Sequence, residues 1–90
     1  MDRIQNDALQ ALNEFIGKIK ARKEDQNEYS EKLSTYLWTL NTLKEELLLH
    51  DEAPLIVIER FSKKMLKYSY NNELFRYSYE CVDEFIRTIV

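Results

Sequence analysis

Few side chains in this sequence have the type and spacing that catalysis or metal binding would require. The one histidine, His50, precedes Asp51 and Glu52 and has no second histidine or nearby cysteine with which to hold a metal or act as a general base. We expect it to interact with the C-terminus of a helix or to be exposed. The one cysteine, Cys81, is expected to be a buried or half-buried, inert thiol rather than a nucleophile.

Other common catalytic arrangements are also missing from the sequence. A single glycine cannot build a Gly-rich phosphate-binding loop. The acidic pairs Glu45-Glu46 and Asp83-Glu84 are adjacent in sequence, and adjacent side chains on a helix diverge by about 100°, so they would not converge on one substrate atom. The sequence therefore predicts a protein that is not an enzyme and that uses no metal or cofactor.

Composition indicates one small helical domain that contains all 90 residues. The longest apolar run covers residues 55–58, far below the roughly 20 residues of a membrane-spanning helix. The N-terminus does not have the pattern of a secretory signal, and a single cysteine forms no internal disulfide, so we expect a cytoplasmic location. The net charge of −3 argues against general binding of nucleic acid.

Apolar residues at three- and four-residue spacing predict four helices, at about residues 2–21, 27–50, 54–69 and 76–89. With short connections, they predict an all-α, antiparallel up-and-down four-helix bundle. The predicted core positions, helix by helix, are Ile4, Ala8, Leu12, Phe15, Ile16 and Ile19; Tyr29, Leu33, Tyr36, Leu37, Leu40, Leu43 and Leu47; Leu55, Ile58, Phe61, Ser62, Met65 and Leu66; and Phe75, Ser78, Val82, Phe85, Ile86 and Ile89.

Three local signals refine this prediction. Pro54 should open the third helix, because a proline in the first turn needs no N–H. The pair Asn71-Asn72 should form the corner before the fourth helix, since Asn tolerates left-handed backbone and caps helices. A β-hairpin over residues 67–80 is the weaker alternative, because an isolated hairpin is marginally stable. Gly17 should either admit a close neighbour or simply be tolerated.

The third helix is expected to carry a basic face opposite its core side. Arg60, Lys63, Lys64 and Lys67 gather there at 100° per residue, and Ile56 falls among them. The simplest interpretation is a solvated helix face. The functional interpretation is attraction to an acidic membrane surface or to the cytoplasmic loops of a membrane protein.

Four of the six tyrosines lie within residues 67–80. Tyrosines often pack their rings along the edge of a bundle and keep the hydroxyl in water, but Tyr and Arg are also favoured anchors of protein interfaces. The residues predicted to contact a partner are Ile56, Tyr70, Arg76 and Tyr77. A stacking platform for single-stranded nucleic acid is disfavoured by the acidic residues nearby.

The C-terminal half carries a longer pattern. A Leu-rich helix end and a polar turn precede Pro-Leu, an arginine, an Asn-containing corner, and a Phe with aliphatic residues seven and eleven positions later. These residues are Pro54, Leu55, Arg60, Asn71, Phe75, Val82 and Ile86. Through this pattern, residues 43–89 resemble the immunity proteins of class IIa, pediocin-like bacteriocins, of the enterocin A immunity type.

This resemblance implies a four-helix bundle in the cytoplasm that gives immunity by binding. The expected partner is the set of mannose phosphotransferase membrane components in complex with bacteriocin, approached from the cytoplasmic side, with the basic face towards the membrane. The alternative is a small helical regulatory protein that binds a cytosolic partner. A homodimer stays open, because ninety residues form a modest core.

Overall fold

The computed structural model describes residues 3–25 and 30–89. Its helices are α1 (Arg3–Asp25), α2 (Ser30–Leu49), α3 (Pro54–Ser69) and α4 (Glu73–Ile89), and the described residues include no strand. Every helix packs against the other three. The prediction of an all-α, antiparallel up-and-down four-helix bundle is confirmed, and a hairpin over residues 67–80 is excluded.

Two helices extend beyond their predicted bounds. Helix α1 continues to Asp25, four residues past the predicted end, because Arg22, Lys23 and Glu24 are good helix formers and the two cations suit a helix C-terminus. Helix α4 begins at Glu73 instead of residue 76. Helix α2 ends at Leu49, and α3 has its predicted bounds. The predicted helix starts at residues 2 and 27 lie outside the described residues.

The corner between α3 and α4 is built by capping and not by left-handed backbone. The Asn72 Oδ1 atom accepts a hydrogen bond from the Leu74 N–H at 2.9 Å. Asn72 directly precedes α4 and therefore caps its N-terminus. The backbone N–H groups of Asn71 and Asn72 both donate to the Tyr68 carbonyl, at 3.0 and 3.2 Å. Since no described residue has a positive φ, the left-handed tolerance of Asn is not used here.

The core combines apolar side chains from all four helices, with Phe85 of α4 fully buried and its ring centroid 5.5 Å from that of Phe15 in α1. The prediction that Leu55 and Leu66 face the core is wrong, because both side chains are exposed. The buried side of α3 is centred on Pro54, Ile58, Phe61 and Met65 and includes Val57. At about 100° per residue, this centre leaves positions 55 and 66 on the solvent side.

A buried polar contact joins α2 to α4. The hydroxyl oxygens of Thr39 and Ser78 lie 2.7 Å apart, and the Thr39 hydroxyl also lies 2.7 Å from the Thr35 carbonyl. Because a threonine hydroxyl has one proton, donation from Thr39 to the carbonyl leaves Ser78 to supply the proton between the two hydroxyls. This arrangement explains why a serine fits the predicted core stripe of α4 without leaving a buried polar atom unpaired.

Gly17 lies on the exposed side of α1. A Cβ atom at this position would meet no atom of the described residues within 4 Å, so the glycine is tolerated and does not admit a close neighbour. We expect Gly17→Ala to raise the free energy of unfolding by about 1 kcal/mol, because alanine loses less backbone entropy in a helix. Urea denaturation followed by circular dichroism would measure this gain, and a loss of stability would contradict the open surroundings of Gly17.

Candidate binding surfaces

Two exposed aromatic rings and one partly buried ring meet where α2, α3 and α4 come together. The Phe75 ring centroid lies 6.3 Å from that of Trp38, in an edge-on arrangement, and 5.1 Å from that of Tyr68. Trp38 is 53% exposed, and Tyr68 and Leu74 are also exposed. We call Trp38, Tyr68, Leu74 and Phe75 the aromatic corner. Because the exposed rings of Trp38 and Tyr68 both contact the Phe75 ring between them, these side chains form a continuous apolar surface across three helices.

A shallow groove of about 240 Å³ lies within this surface. Trp38 of α2 forms one side of it, and Leu74 and Phe75 of α4 form the other; Thr35, Asn72 and Ser78 complete the lining. The groove therefore presents mainly apolar surface, since the Ser78 hydroxyl is buried in its contact with Thr39. A mainly apolar groove is typical of sites that receive an apolar side chain of a partner.

The sequence pattern indicated parts of the aromatic corner but not their proximity. Trp38 and Tyr68 are not among the predicted core positions of α2 and α3, and both are exposed. Phe75 was assigned to the core stripe of α4, but it is only partly buried and packs against the edge of the core. The signal in the sequence was a tryptophan outside the core stripe of its helix.

The four residues predicted to contact a partner lie in different places. Tyr70 is 80% exposed and lies at the end of α3, and Arg76 lies at the start of α4. Both are therefore close to the α3–α4 turn. Ile56 is exposed, but at the opposite end of α3. Tyr77 is only partly exposed and packs against the core, with the Lys32 Nζ atom 5.9 Å from its ring centroid. Tyr77 is therefore less available to a partner than predicted, because it packs against the core and Lys32 of α2 lies over its ring.

The predicted basic face of α3 is present, but one of its four cations is paired. Arg60 donates two hydrogen bonds to the Glu52 carboxylate, at 2.7 and 3.0 Å, from α3 back to the α2–α3 turn. Lys63, Lys64 and Lys67 are exposed and have no ion pair among the described residues. The face thus offers three unpaired lysines instead of four free cations.

His50 lies just after α2 and takes part in the same charged turn. Its Nε2 atom is 3.0 Å from Glu46 Oε2, and its Nδ1 atom is 3.9 Å from Glu52 Oε1. Its backbone N–H donates to the Glu46 carbonyl at 3.2 Å. His50 therefore lies at the C-terminus of α2, as expected. Its side chain links Glu46 of α2 to the Glu52–Arg60 pair.

The hydrogen bonds from Arg60 lower the pKa of the Glu52 carboxyl below its ordinary value. A group whose folded-state pKa is lowered stabilises the protein above its unfolded pKa, and this contribution is lost as the pH falls through the folded value. We expect Arg60→Gln to raise the Glu52 titration midpoint in an NMR titration of the side-chain carboxyl. As a control, Arg87→Gln, which removes an ion pair with Asp83 instead, should leave that midpoint unchanged. The same Glu52 midpoint in both variants would contradict this assignment.

The Cys81 thiol is buried, and the described residues contain no cluster of potential metal ligands. Cys81 is fully buried as expected, burial and the nearby Glu84 raise the pKa of its thiol, and its Sγ atom lies 3.7 Å from the Tyr36 carbonyl oxygen. In the described part of the chain, no three His, Cys, Asp or Glu side chains are placed to hold a metal ion. Residues 3–25 and 30–89 also contain no helix that is long and apolar enough to cross a membrane.

No protein-family model, curated protein or solved structure matches this chain. A functional proposal therefore depends on the chemistry of the two surfaces and on the resemblance of residues 43–89 to bacteriocin immunity proteins.

Proposed function

We propose that this protein is an immunity protein that protects a cell from a pediocin-like bacteriocin. In this role it binds, from the cytoplasmic side, the mannose phosphotransferase membrane receptor to which the bacteriocin is bound. The observation that carries a binding role is the aromatic corner. The resemblance of residues 43–89 supplies the identity of the partner.

The composition of the aromatic corner supports a protein as the partner. Tryptophan and tyrosine are enriched among the residues that contribute most to protein interfaces, particularly when they lie in an apolar patch with a polar rim. Here Trp38 and Tyr68 flank Phe75, Asn72 lines the groove, and the exposed Arg76 follows Phe75 in α4. Covering these rings would remove exposed apolar surface from water, which favours association.

The residues that carry the resemblance also support a contact role for this half of the chain. Val82 is fully buried and Ile86 is partly buried against the core, so these two positions serve packing. Phe75 belongs to the same pattern but lies in the aromatic corner, next to the two asparagines of the α3–α4 turn. One segment thus combines helix packing with an exposed contact surface.

A challenge panel tests the proposal directly. The full chain would be expressed in a bacteriocin-sensitive strain, and the strain would be exposed to a set of pediocin-like peptides. We expect a higher inhibitory concentration for at least one of these peptides, and no change for a pore-forming peptide that does not use this receptor. Unchanged killing by every pediocin-like peptide, with the protein present in the cells, would refute the immunity role.

Affinity capture distinguishes this role from the regulatory alternative. The tagged protein would be incubated with detergent-solubilised membranes from cells treated with the peptide to which protection was found, and separately with cytosol. Recovery of the phosphotransferase membrane components only after bacteriocin treatment supports the proposal. Recovery of a cytosolic protein in their place, in a manner that depends on Trp38, would support a helical regulator.

A further inference from the structure

The side of α3 that faces solvent is unusually apolar. Leu55, Ile56, Leu66 and Tyr70 are all exposed, with exposed fractions of 51, 53, 36 and 80%. They extend along the helix from its first turn to the residue that ends it. Ile56 and Tyr70 are separated by fourteen positions, which corresponds to about 21 Å of helix. Three exposed apolar side chains on one face of this 16-residue helix, with Tyr70 directly after its last residue, leave substantial apolar surface in water.

Unpaired lysines lie among these apolar residues. At about 100° per residue, Ile56, Lys63, Lys67 and Tyr70 fall within about 60° of one another, and Lys64 lies at the flank. The Glu52 carboxylate pairs with Arg60 at the edge of this face. Glu59, the one acidic residue of α3, is exposed on the same face one turn before Lys63, so the lysines outnumber the acid there. We call Leu55, Ile56, Glu59, Lys63, Leu66, Lys67 and Tyr70 the outer face of α3.

We propose that the outer face of α3 binds the surface of a lipid bilayer that contains anionic lipids. Helices that lie in the membrane interface combine aliphatic and aromatic side chains, which enter the boundary of the acyl chains, with lysines that contact the phosphates. The arrangement of Ile56, Lys63 and Tyr70 along one line of the helix fits a flat anionic surface. The net charge of −3 repels such a surface, so binding requires that this face be turned towards it.

A second copy of the chain fits this face less well than a bilayer does. If two outer faces met, Lys63 and Lys67 of each copy would approach the same lysines of the other, and like charges in apposition weaken association. Anionic headgroups instead complement these lysines. The inference concerns protein and lipid alone, and therefore does not depend on the proposed immunity role.

Vesicle co-sedimentation of the purified full chain tests the proposal. The vesicles would contain phosphatidylcholine alone, or phosphatidylcholine mixed with phosphatidylglycerol. We expect binding only to the mixed vesicles, and weaker binding as salt is added. Lys63→Gln/Lys67→Gln should reduce the partition coefficient roughly thirtyfold, or about 2 kcal/mol, because each lysine near an anionic surface contributes about 1 kcal/mol.

Two further variants complete the test. Lys18→Gln/Lys20→Gln removes the same charge from exposed positions of α1, and should leave binding close to that of the unmodified chain. Ile56→Ser/Leu66→Ser retains the lysines and should still weaken binding several-fold, because it removes apolar contact. Circular dichroism would verify that all variants retain the helical fold.

Several results would overturn the proposal. These are absence of binding to phosphatidylglycerol vesicles at low salt, equal binding to both vesicle types, and equal losses in the α1 and α3 lysine variants. Competition by soluble glycerol phosphate would also overturn it, because the face would then recognise a free phosphate group and not a bilayer. A negative challenge panel would leave each of these outcomes unchanged, so the two proposals fail separately.

Discussion

Replacing Phe85 with alanine is expected to lower the free energy of unfolding by about 3–5 kcal/mol. The Phe85 side chain is fully buried, and its ring centroid lies 5.5 Å from that of Phe15. Truncation removes apolar surface from the core and leaves a cavity that neighbouring helices fill only in part. Because domains of this size have a total stability of about 5–15 kcal/mol, this loss would bring the protein close to unfolding.

Urea denaturation followed by circular dichroism would measure this loss. Leu49→Ala is a suitable control, because Leu49 is 77% exposed at the end of α2 and its truncation should change stability by about 0.5 kcal/mol or less. Phe85→Leu retains part of the volume and should be less destabilising than Phe85→Ala. Equal effects of Phe85→Ala and Leu49→Ala would show that the core is not centred on Phe85.

Trp38→Ala is expected to have the largest effect on partner binding. Truncation of a residue that dominates an interface costs about 2 kcal/mol or more, so the affinity for the bacteriocin-bound receptor should fall at least roughly thirtyfold. The effect on stability should be smaller than that of Phe85→Ala, since the Trp38 side chain is 53% exposed. Co-sedimentation with membranes that contain the receptor and the bacteriocin would measure the affinity, and the challenge panel would measure protection.

Leu48→Ala is the matched control for Trp38→Ala. Leu48 lies on the same helix and is 54% exposed, but it is ten residues away, near the C-terminal end of α2. We expect this variant to bind and protect like the unmodified chain. Full protection by a correctly folded Trp38→Ala variant would remove the aromatic corner from the interface. A loss in Leu48→Ala alone would move the interface to the α2–α3 end of the bundle.

A double-mutant cycle would show whether the aromatic corner acts as a unit. Trp38 and Phe75 contact each other edge-on, and residues in contact generally have non-additive effects. Truncation of either ring alone should therefore cause much of the decrease in affinity that truncation of both rings causes. Tyr70, on the outer face of α3, makes no ring contact with them in the described structure and should contribute independently.

The two surfaces together would suit a protein that works next to a membrane. The outer face of α3 would bring the protein to the lipid surface, and the aromatic corner would contact protein at that surface. The corner includes Tyr68, and the outer face includes Tyr70, two residues further along the same chain segment. The two surfaces are therefore neighbours at the C-terminal end of α3.

The helices and most of the core could be predicted from the sequence alone. The bounds of α3 followed from Pro54 and from the Asn71-Asn72 pair, and the burial of Val82 and Phe85 followed from the periodicity of α4. These properties depend on the order of residues along a single helix. Helical periodicity therefore contains them before any tertiary contact is known.

The tertiary structure decided which side chains meet and which remain exposed. Trp38 of α2 contacts Phe75 of α4, and Arg60 of α3 pairs with Glu52 in the α2–α3 turn. Neither pair lies within a single helix. Leu55, on the edge of the helical stripe, is exposed because the rotation of α3 about its axis is set by the packing of its neighbours. Periodicity determines the order of side chains around a helix, but only contact between helices determines which part of that circle is covered.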